Sequence, residues 1–426
     1  MVDFRPLEAY EYNTSIAGEI GDLIAPPYDV IDEAGRNALA AKSPYNIVHI
    51  TLPQAEGGLD KYQAAGRKLH GWLEERILAP GGRAFYVIEQ TFDLGGRTYI
   101  RTGILGRALL GPWRESGIYP HELTLPKPRE DRFRLYKATK VVPGPSFSLF
   151  EDVSGEGRRI VGEIRKRPPY WSAQGPEGSF DRVWKITEPL DIEGISAALK
   201  GEKFFIADGH HRYETALAYR DELAARGELT PGHPASFVLM CVVPFDDEGL
   251  VVLPTHRLLL LRGERPVEAA IGALKEDYSL KHVPSLEAFE GTGEKAPSQV
   301  ALYTPRQAYL LNMTEVTRKV FVGRVGRTMA AVNTFEVIEK VMPRFFRDVN
   351  AAVATEQVKY THSLKEALER VDGGAFQAAI ILAGIPVRRI AEVASSGQTM
   401  PPKSTYFYPK LPTGVAVMPL EKVPAD

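Results

Sequence analysis

The sequence predicts an α+β protein of mixed sheets and helices, and three stretches predict it. Residues 59–78 repeat apolar side chains at helical spacing, 84–110 read as a hairpin, and Phe204-Phe205-Ile206-Ala207 is a strand that runs straight into a helix. The chain has 426 residues, 44% apolar and 25% charged, the mixture of a globular protein able to bury a large core. At roughly 100–200 residues per domain this length points to two or three domains. The expected division is a region 1–260 that carries the phosphate-binding motif and an α/β region 261–426 that completes the same site.

Taken in order, residues 1–58 read as loop-rich. Ala25-Pro26-Pro27-Tyr28-Asp29-Val30 is held extended because each proline restricts its neighbours and lacks a donor. Asp32 is a good N-cap for a following helix. Tyr62, Leu69, Trp72, Leu73 and Ile77 make 59–78 amphipathic, and Asp93-Leu94-Gly95-Gly96 supplies the hairpin turn. Residues 111–142 are rich in charge with Pro and Gly, and 130–140 read as helical. Phe237 to Val243 reads as a buried strand containing the single Cys241, which excludes an intramolecular disulfide and reads as an inert core thiol. Helices with polar linkers are expected over 262–300, with 291–295 an exposed loop. The tail reads as the apolar run 378–383, a short helix, then Tyr406-Phe407-Tyr408 and Val415 to Met418.

The charge balance excludes some function classes. With 52 Lys+Arg against 54 Asp+Glu the net charge is −2, so the general reason to expect nonspecific nucleic-acid binding is missing. No run approaches the ~18 apolar residues of a membrane span, and the acidic opening is not that of a signal peptide. A cytoplasmic location and no membrane partner are expected. The Gly-x-x-x-x-Gly-Lys-[Ser/Thr], Gly-x-Gly-x-x-Gly and His-Glu-x-x-His patterns are absent.

The chemistry is expected at Asp208-Gly209-His210-His211-Arg212. A strand ending at Asp208 and turning into a helix through Gly209 aims backbone N–H groups and the positive end of the helix dipole at one point, which suits an anion. Two histidines and an arginine in the first helical turn oppose that dipole, and a bound anion would offset the cost. Asp208 could cap the helix, hold a metal or act as a base, and Gly209 would let a phosphate approach closely.

The Asp-Gly-x-His-Arg core resembles the phosphate-contacting box of the ParB/sulfiredoxin superfamily. A wider set of segments is similar to the family catalogued as domain of unknown function 1015: Ala25 to Ile31, Ser43-Pro44-Tyr45-Asn46, Pro120-His121-Glu122 with Pro126-Lys127-Pro128, Asp131-Arg132, Pro254-Thr255-His256-Arg257, and Met400 to Lys410. The resemblance runs from about residue 5 to residue 420. It implies a ParB/sulfiredoxin-like nucleotide-binding core in which Gly209, His211 and Arg212 bind nucleotide or polyphosphate. His210 stands where sulfiredoxin has its catalytic cysteine, so reduction through that thiol is not expected, and the resemblance points to the superfamily's serine-kinase branch.

Other candidates come from residue chemistry. Glu122 and His121, near Lys127 and Arg132 in sequence, could supply a general base and phosphate clamps. Lys403, Ser404 and Thr405 flank an aromatic strand, on which Lys403 and Thr405 would face one side and Ser404 the other. His256-Arg257 and Tyr28-Asp29 are candidate substrate contacts. The expected activity is phosphotransfer between a nucleotide or pyrophosphate co-substrate and a small hydroxylated metabolite, serine or phosphoserine, with Mg²⁺ neutralising charge. Asp208, His210, His211 and Glu122 are the catalytic candidates. Phosphate contacts are assigned to Gly209, His211, Arg212, Lys127, Arg132, Lys403, Ser404 and Thr405. The alternatives are a nucleotide-sensing binding protein without net chemistry and a metal-dependent phosphohydrolase, whose metal ligands the sequence does not name.

Overall fold

The computed structural model describes residues 2–122, 126–292, 296 and 298–422, with the side chains of all of these except 126–128. The chain is α+β and divides into two compact units. One holds the residues up to 250 apart from 121–122, together with those from 409 onward; the other holds 121–122 and 251–408. The sequence reading placed its boundary at 260 and kept the tail in the second region. In the structure the chain passes to the second unit after Leu250 and returns at Pro409.

The first unit is built on a ten-stranded sheet among the described residues. Its main path runs Ile118–Tyr119, Phe204–Asp208, Ser146–Phe150, Phe237–Pro244, Arg97–Leu109, Leu78–Leu94, Phe180–Ile186, Trp171–Gln174. The hairpin at its heart is the expected one. Leu94 pairs with Arg97 across Gly95 and Gly96, whose φ values of 57° and 76° are those of a two-residue type I′ turn. Phe237–Pro244 is buried at every residue because strands flank it on both sides. Burial pushes the Cys241 thiol up to about 12 against the pull of Arg101, which keeps it protonated and inert.

The helices of this unit obey local rules. Lys61–Glu74 starts at a capping box in which Asp60 accepts from the Gln63 backbone and the Gln63 side chain answers. Pro126–Thr139 begins earlier than the expected 130–140, since proline is accommodated in the first turn of a helix. The N-terminal stretch is not the loop-rich segment its prolines suggested. Besides the helix Glu33–Lys42, which starts as expected after Asp32 with Gly35 N donating to the Asp32 side chain, it contains the strand Leu7–Tyr12 and the helices Ile20–Leu23 and Val48–Thr51. These elements are short, and Ile20, Leu23, Ile47, Val48 and Ile50 bury against Leu69 and Trp72, so tertiary burial sets structure where local propensity does not.

The second unit carries a six-stranded sheet ordered Tyr278–Val283, Gln307–Met313, Val300–Thr304, Ala378–Leu382, His256–Leu259, Val358–Thr361. Ala378, Ile380 and Leu382 enter one core cluster with Leu259 and Leu302, while Ala379, Ile381 and Ala383 enter another with Leu258 and Ala301. Both faces are covered, which is why 378–383 is continuously apolar instead of alternating. The expected helices over 262–300 are corrected. Among the described residues only Val267–Leu274 is an α-helix there, followed by the strand Tyr278–Val283, in which the alternation of Tyr278 and Leu280 with exposed Ser279 and Lys281 breaks off at exposed His282. Of the predicted loop 291–295, residues 293–295 lie outside the described residues. Among the described residues no helix is long and apolar enough to cross a membrane.

Candidate functional site

The strand Phe204–Asp208 pairs antiparallel with Ser146–Phe150, and its register slips between Ile206 and Asp208. Such a bulge turns the strand end and re-aims the side chain that follows. Gly209 then adopts φ 86°, ψ 29° as the N-cap of His210–Ala225, its carbonyl accepting from Ser146 Oγ at 3.2 Å. Asp208 is therefore not the N-cap. Its carboxylate instead meets Arg212 Nη2 at 2.7 Å and Lys410 Nζ at 3.2 Å.

This ion cluster answers the electrostatic problem posed by the sequence. The cations at the helix N-terminus are offset, in part, by the protein's own carboxylate and not by an external anion alone. Burial by itself would raise the Asp208 carboxyl. The Lys410 and Arg212 charges, the Lys410 hydrogen bond and His210 overcome it and hold the group far below the usual carboxylate range. A carboxylate so stabilised is a poor proton acceptor, which weakens the expectation of Asp208 as a base.

Gly209 is needed here for a reason other than phosphate approach. A Cβ at this position would lie 2.9 Å from the Arg212 guanidinium carbon, so the side chain of Arg212 fills the space above the glycine. Gly209→Ala should lose about 1–2 kcal/mol from the left-handed backbone alone, with further loss as Arg212 is pushed from Asp208. Urea unfolding measures this, and an unchanged midpoint would contradict the close approach.

Arg212 is buried, as are His210 and Arg132, whereas His211 is half-buried. Arg212 also donates to the Pro145 carbonyl. Arg132 donates to Asp131 and to the Thr51 carbonyl at 2.6 Å, and its guanidinium lies 4.1 Å over the Tyr28 ring. Tyr28, Arg132 and Arg212 thus line one pocket, with Thr51, Tyr136 and Thr413; its cavity volume is about 20 Å³ and it is otherwise open to solvent. Thr51 is 3% exposed and its Oγ1 has no partner among the described residues. Burial and the neighbouring Asp29 raise the Tyr28 phenol, while Arg132 and Arg212 pull it down, so it remains a hydroxyl donor near neutral pH.

Lys410 reaches this cluster because three groups, the buried Gln90 and Arg101 and the half-buried Glu177, hold the backbone at 409–410. Its N–H donates to Glu177 Oε2 at 2.7 Å, its carbonyl accepts from Gln90 Nε2 at 3.3 Å, and the Pro409 carbonyl accepts from Arg101 at 2.5 Å. Glu177 itself has φ 58°, a strained conformation for a residue other than glycine. Sequence reasoning did not connect Lys410 or Thr51 with Asp208. Lys410 lies 202 positions from Asp208 (410 − 208), and nothing local connects them.

Apart from Asp29 and Lys127, which belong to the first unit, the remaining candidates sit in the second unit, where several meet. The Glu122 carboxylate accepts the backbone N–H groups of Lys403 at 3.0 Å and Ser404 at 3.4 Å. His121 Nε2 contacts Thr405 Oγ1 at 3.0 Å, and Arg257 donates to the Lys403 carbonyl at 3.2 Å. Lys403 has φ 62° and precedes the strand Tyr406–Tyr408, so the expected alternation of Lys403, Ser404 and Thr405 along a strand is replaced by a turn. His256 Nδ1 accepts from Leu382 N, and burial, then His362 and Arg257, push its imidazole down to about 3. This buried histidine is neutral, and its Nε2 has no partner among the described residues. Burial likewise lowers Arg257 to about 10. The Lys127 side chain lies outside the described residues. Among the described residues no group of three or more His, Cys, Asp or Glu is placed to hold a metal ion.

Residues 4–338 match the family described as protein of unknown function, DUF1015. The chain belongs to that family. Comparison with curated proteins finds no match. Among solved structures, this DUF1015 chain is similar to a conserved hypothetical protein from Pyrococcus furiosus at 15% identity and TM-score 0.35, covering 71% of this chain and 92% of that one. A free serine kinase in complex with AMP matches at 13% identity and TM-score 0.35, covering 72% and 88%. SbnI with a C-terminal truncation, from Staphylococcus aureus, matches at 11% identity and TM-score 0.35, covering 71% and 84%. Likenesses this distant decide nothing about the chemistry.

Proposed function

We propose that this DUF1015 protein transfers a phosphoryl group between a nucleotide or pyrophosphate and a small hydroxylated metabolite, at the box Asp208 to Arg212. The observation that supports it is the pocket in which two buried arginines, 80 positions apart (212 − 132), meet the Tyr28 hydroxyl and an unpartnered buried Thr51 hydroxyl. Two guanidinium groups with hydroxyl donors form the donor set of a phosphate site, and such buried cations are retained where an anion returns their desolvation cost. Serine and phosphoserine as substrates, and a ParB/sulfiredoxin-like core, extend this reading and rest on the sequence resemblance.

In this reading the residues divide the work. Arg132 and Arg212 clamp phosphate oxygens, and Lys410 adds charge beside the transferring group. Asp208 holds Arg212 and Lys410 in place. His211, half-buried on the first turn, is the imidazole assigned to accept the hydroxyl proton. Phosphoryl transfer through a loose transition state asks chiefly for positioning and charge, which this set supplies. The first-unit residues do not fit a resident Mg²⁺, because both Asp208 oxygens already hold cations. Magnesium would arrive with the polyphosphate.

The test is ³¹P NMR of the protein with L-serine or O-phosphoserine and ATP, ADP, CTP or pyrophosphate in Mg²⁺ buffer. A new phosphoester or phosphate signal that Arg132→Gln abolishes is the expected result. The ion-paired Asp208 favours one second reading, a nucleotide sensor without net chemistry. Unchanged spectra combined with nucleotide-dependent thermal stabilisation would overturn phosphotransfer in its favour.

A further inference from the structure

The first unit has a second cationic hollow. Three helices that follow one another in the chain, Glu33–Lys42, Val48–Thr51 and Lys61–Glu74, contribute Arg36, His49 and Lys68 to one pocket with a cavity volume of about 240 Å³. Its floor is Ala64 and Ala65, both buried, whose small side chains leave the room. Pro53 to Glu56 form the opposite wall.

The groups are held in position. Arg36 Nε donates to the Leu52 carbonyl at 3.3 Å, and His49 Nε2 lies 3.2 Å from the Ser43 carbonyl. With Nε2 committed to a carbonyl, the other ring nitrogen becomes a donor only when the ring is protonated. Burial, then the Lys68 charge and more weakly Arg36 depress the His49 imidazole, against the carbonyls of Ser43 and Ala40 that favour its protonation. The acid in the pocket is Glu56, 62% exposed and 3.6 Å from Lys68, a solvent-screened pair worth little. Glu56 sits on a turn through Gly57 and Gly58, both at positive φ, so its carboxylate is carried by the wall of the pocket and not by its floor.

We infer that this hollow is a binding site for a phosphate dianion, separate from the Arg132 and Arg212 pocket, with Arg36, His49 and Lys68 as its donors and the Glu56 carboxylate as an internal competitor. A dianion offsets the charges of Arg36 and Lys68 and stabilises the imidazolium form of His49. Binding is therefore coupled to proton uptake at His49 and weakens as pH rises through the pKa of the bound imidazole.

The experiment is NMR of the full chain carrying ¹³C-labelled histidine, whose nine imidazoles include His49, assigned by the signal lost in His49→Gln. Inorganic phosphate is titrated against chloride of equal ionic strength, with citrate as a carboxylate arm. The expected result is a saturable phosphate-dependent movement of the His49 signal and a raised His49 pKa. Lys68→Gln should weaken binding about tenfold, and Glu56→Gln should strengthen it about threefold. Arg212→Ala should leave the His49 response intact, which separates this site from the one proposed above. A drift no larger than with chloride, an unaltered response in Lys68→Gln, saturation by citrate but not phosphate, or loss of the response in Arg212→Ala would each overturn the inference.

Discussion

Arg212→Ala is expected to lose about 3 kcal/mol of stability and roughly 10–100-fold in polyphosphate affinity. The stability loss comes from the partner left behind. Asp208 keeps Lys410 but loses a charge-assisted bond at 2.7 Å in a place where little water can replace it. The Pro145 carbonyl, the other acceptor of Arg212, loses its donor as well. The affinity loss comes from removing one of the two guanidinium groups that line the Tyr28 pocket. Arg212→Lys should restore the charge but not the planar fork that reaches Pro145 and Asp208 together, and so should recover stability only in part. Urea unfolding and calorimetric titration with pyrophosphate measure the two losses. Lost stability with unchanged pyrophosphate affinity would make Arg212 a purely structural residue.

How much of this was legible in the sequence depends on the distance over which each feature acts. The hairpin at Gly95-Gly96, the capped helix Lys61–Glu74 and the strand-to-helix passage through Gly209 are set by neighbours within a few residues, and they were readable. Of the N-terminal helices, Glu33–Lys42 was readable from its Asp32 cap, whereas Ile20–Leu23 and Val48–Thr51 were not, because segments such as Val48–Thr51 form only when Ile47, Val48 and Ile50 bury against Trp72. At the site the same division holds. The residue types at 208–212 raised the expectation of an anion site, but the second cation that shares the Asp208 carboxylate with Arg212 did not follow from them. It is Lys410, brought to Asp208 by Glu177, Gln90 and Arg101, none of which has a motif. Thr51 is similar, since an orphaned hydroxyl is visible only once burial is known. In the second unit the pairing of Glu122 with Lys403 and Ser404 joins two segments that the sequence flagged separately.

Asp208→Asn separates holding from catalysis, because its expected effects point in opposite directions. Removing the charge leaves Lys410 and Arg212 at a helix N-terminus without their shared counter-ion, and stability should fall by about 3 kcal/mol. The same two cations are then released to an incoming anion, so phosphate or pyrophosphate should bind more tightly than in the wild type and stabilise the variant more strongly. Turnover should nevertheless drop, since cations no longer fixed by Asp208 are not held where charge develops during transfer. The pH dependence gives an independent check. The folded-state carboxyl is held far below its unfolded value, so its contribution is present in full above the ordinary carboxylate range and is lost as pH falls through that range toward the folded-state pKa. Asp208→Asn should therefore flatten the acid limb of the stability profile. Tighter pyrophosphate binding with a flattened acid limb is the signature of a carboxylate that competes with the ligand for its cations. Unchanged affinity together with abolished turnover would instead make Asp208 the proton acceptor, despite its depressed pKa.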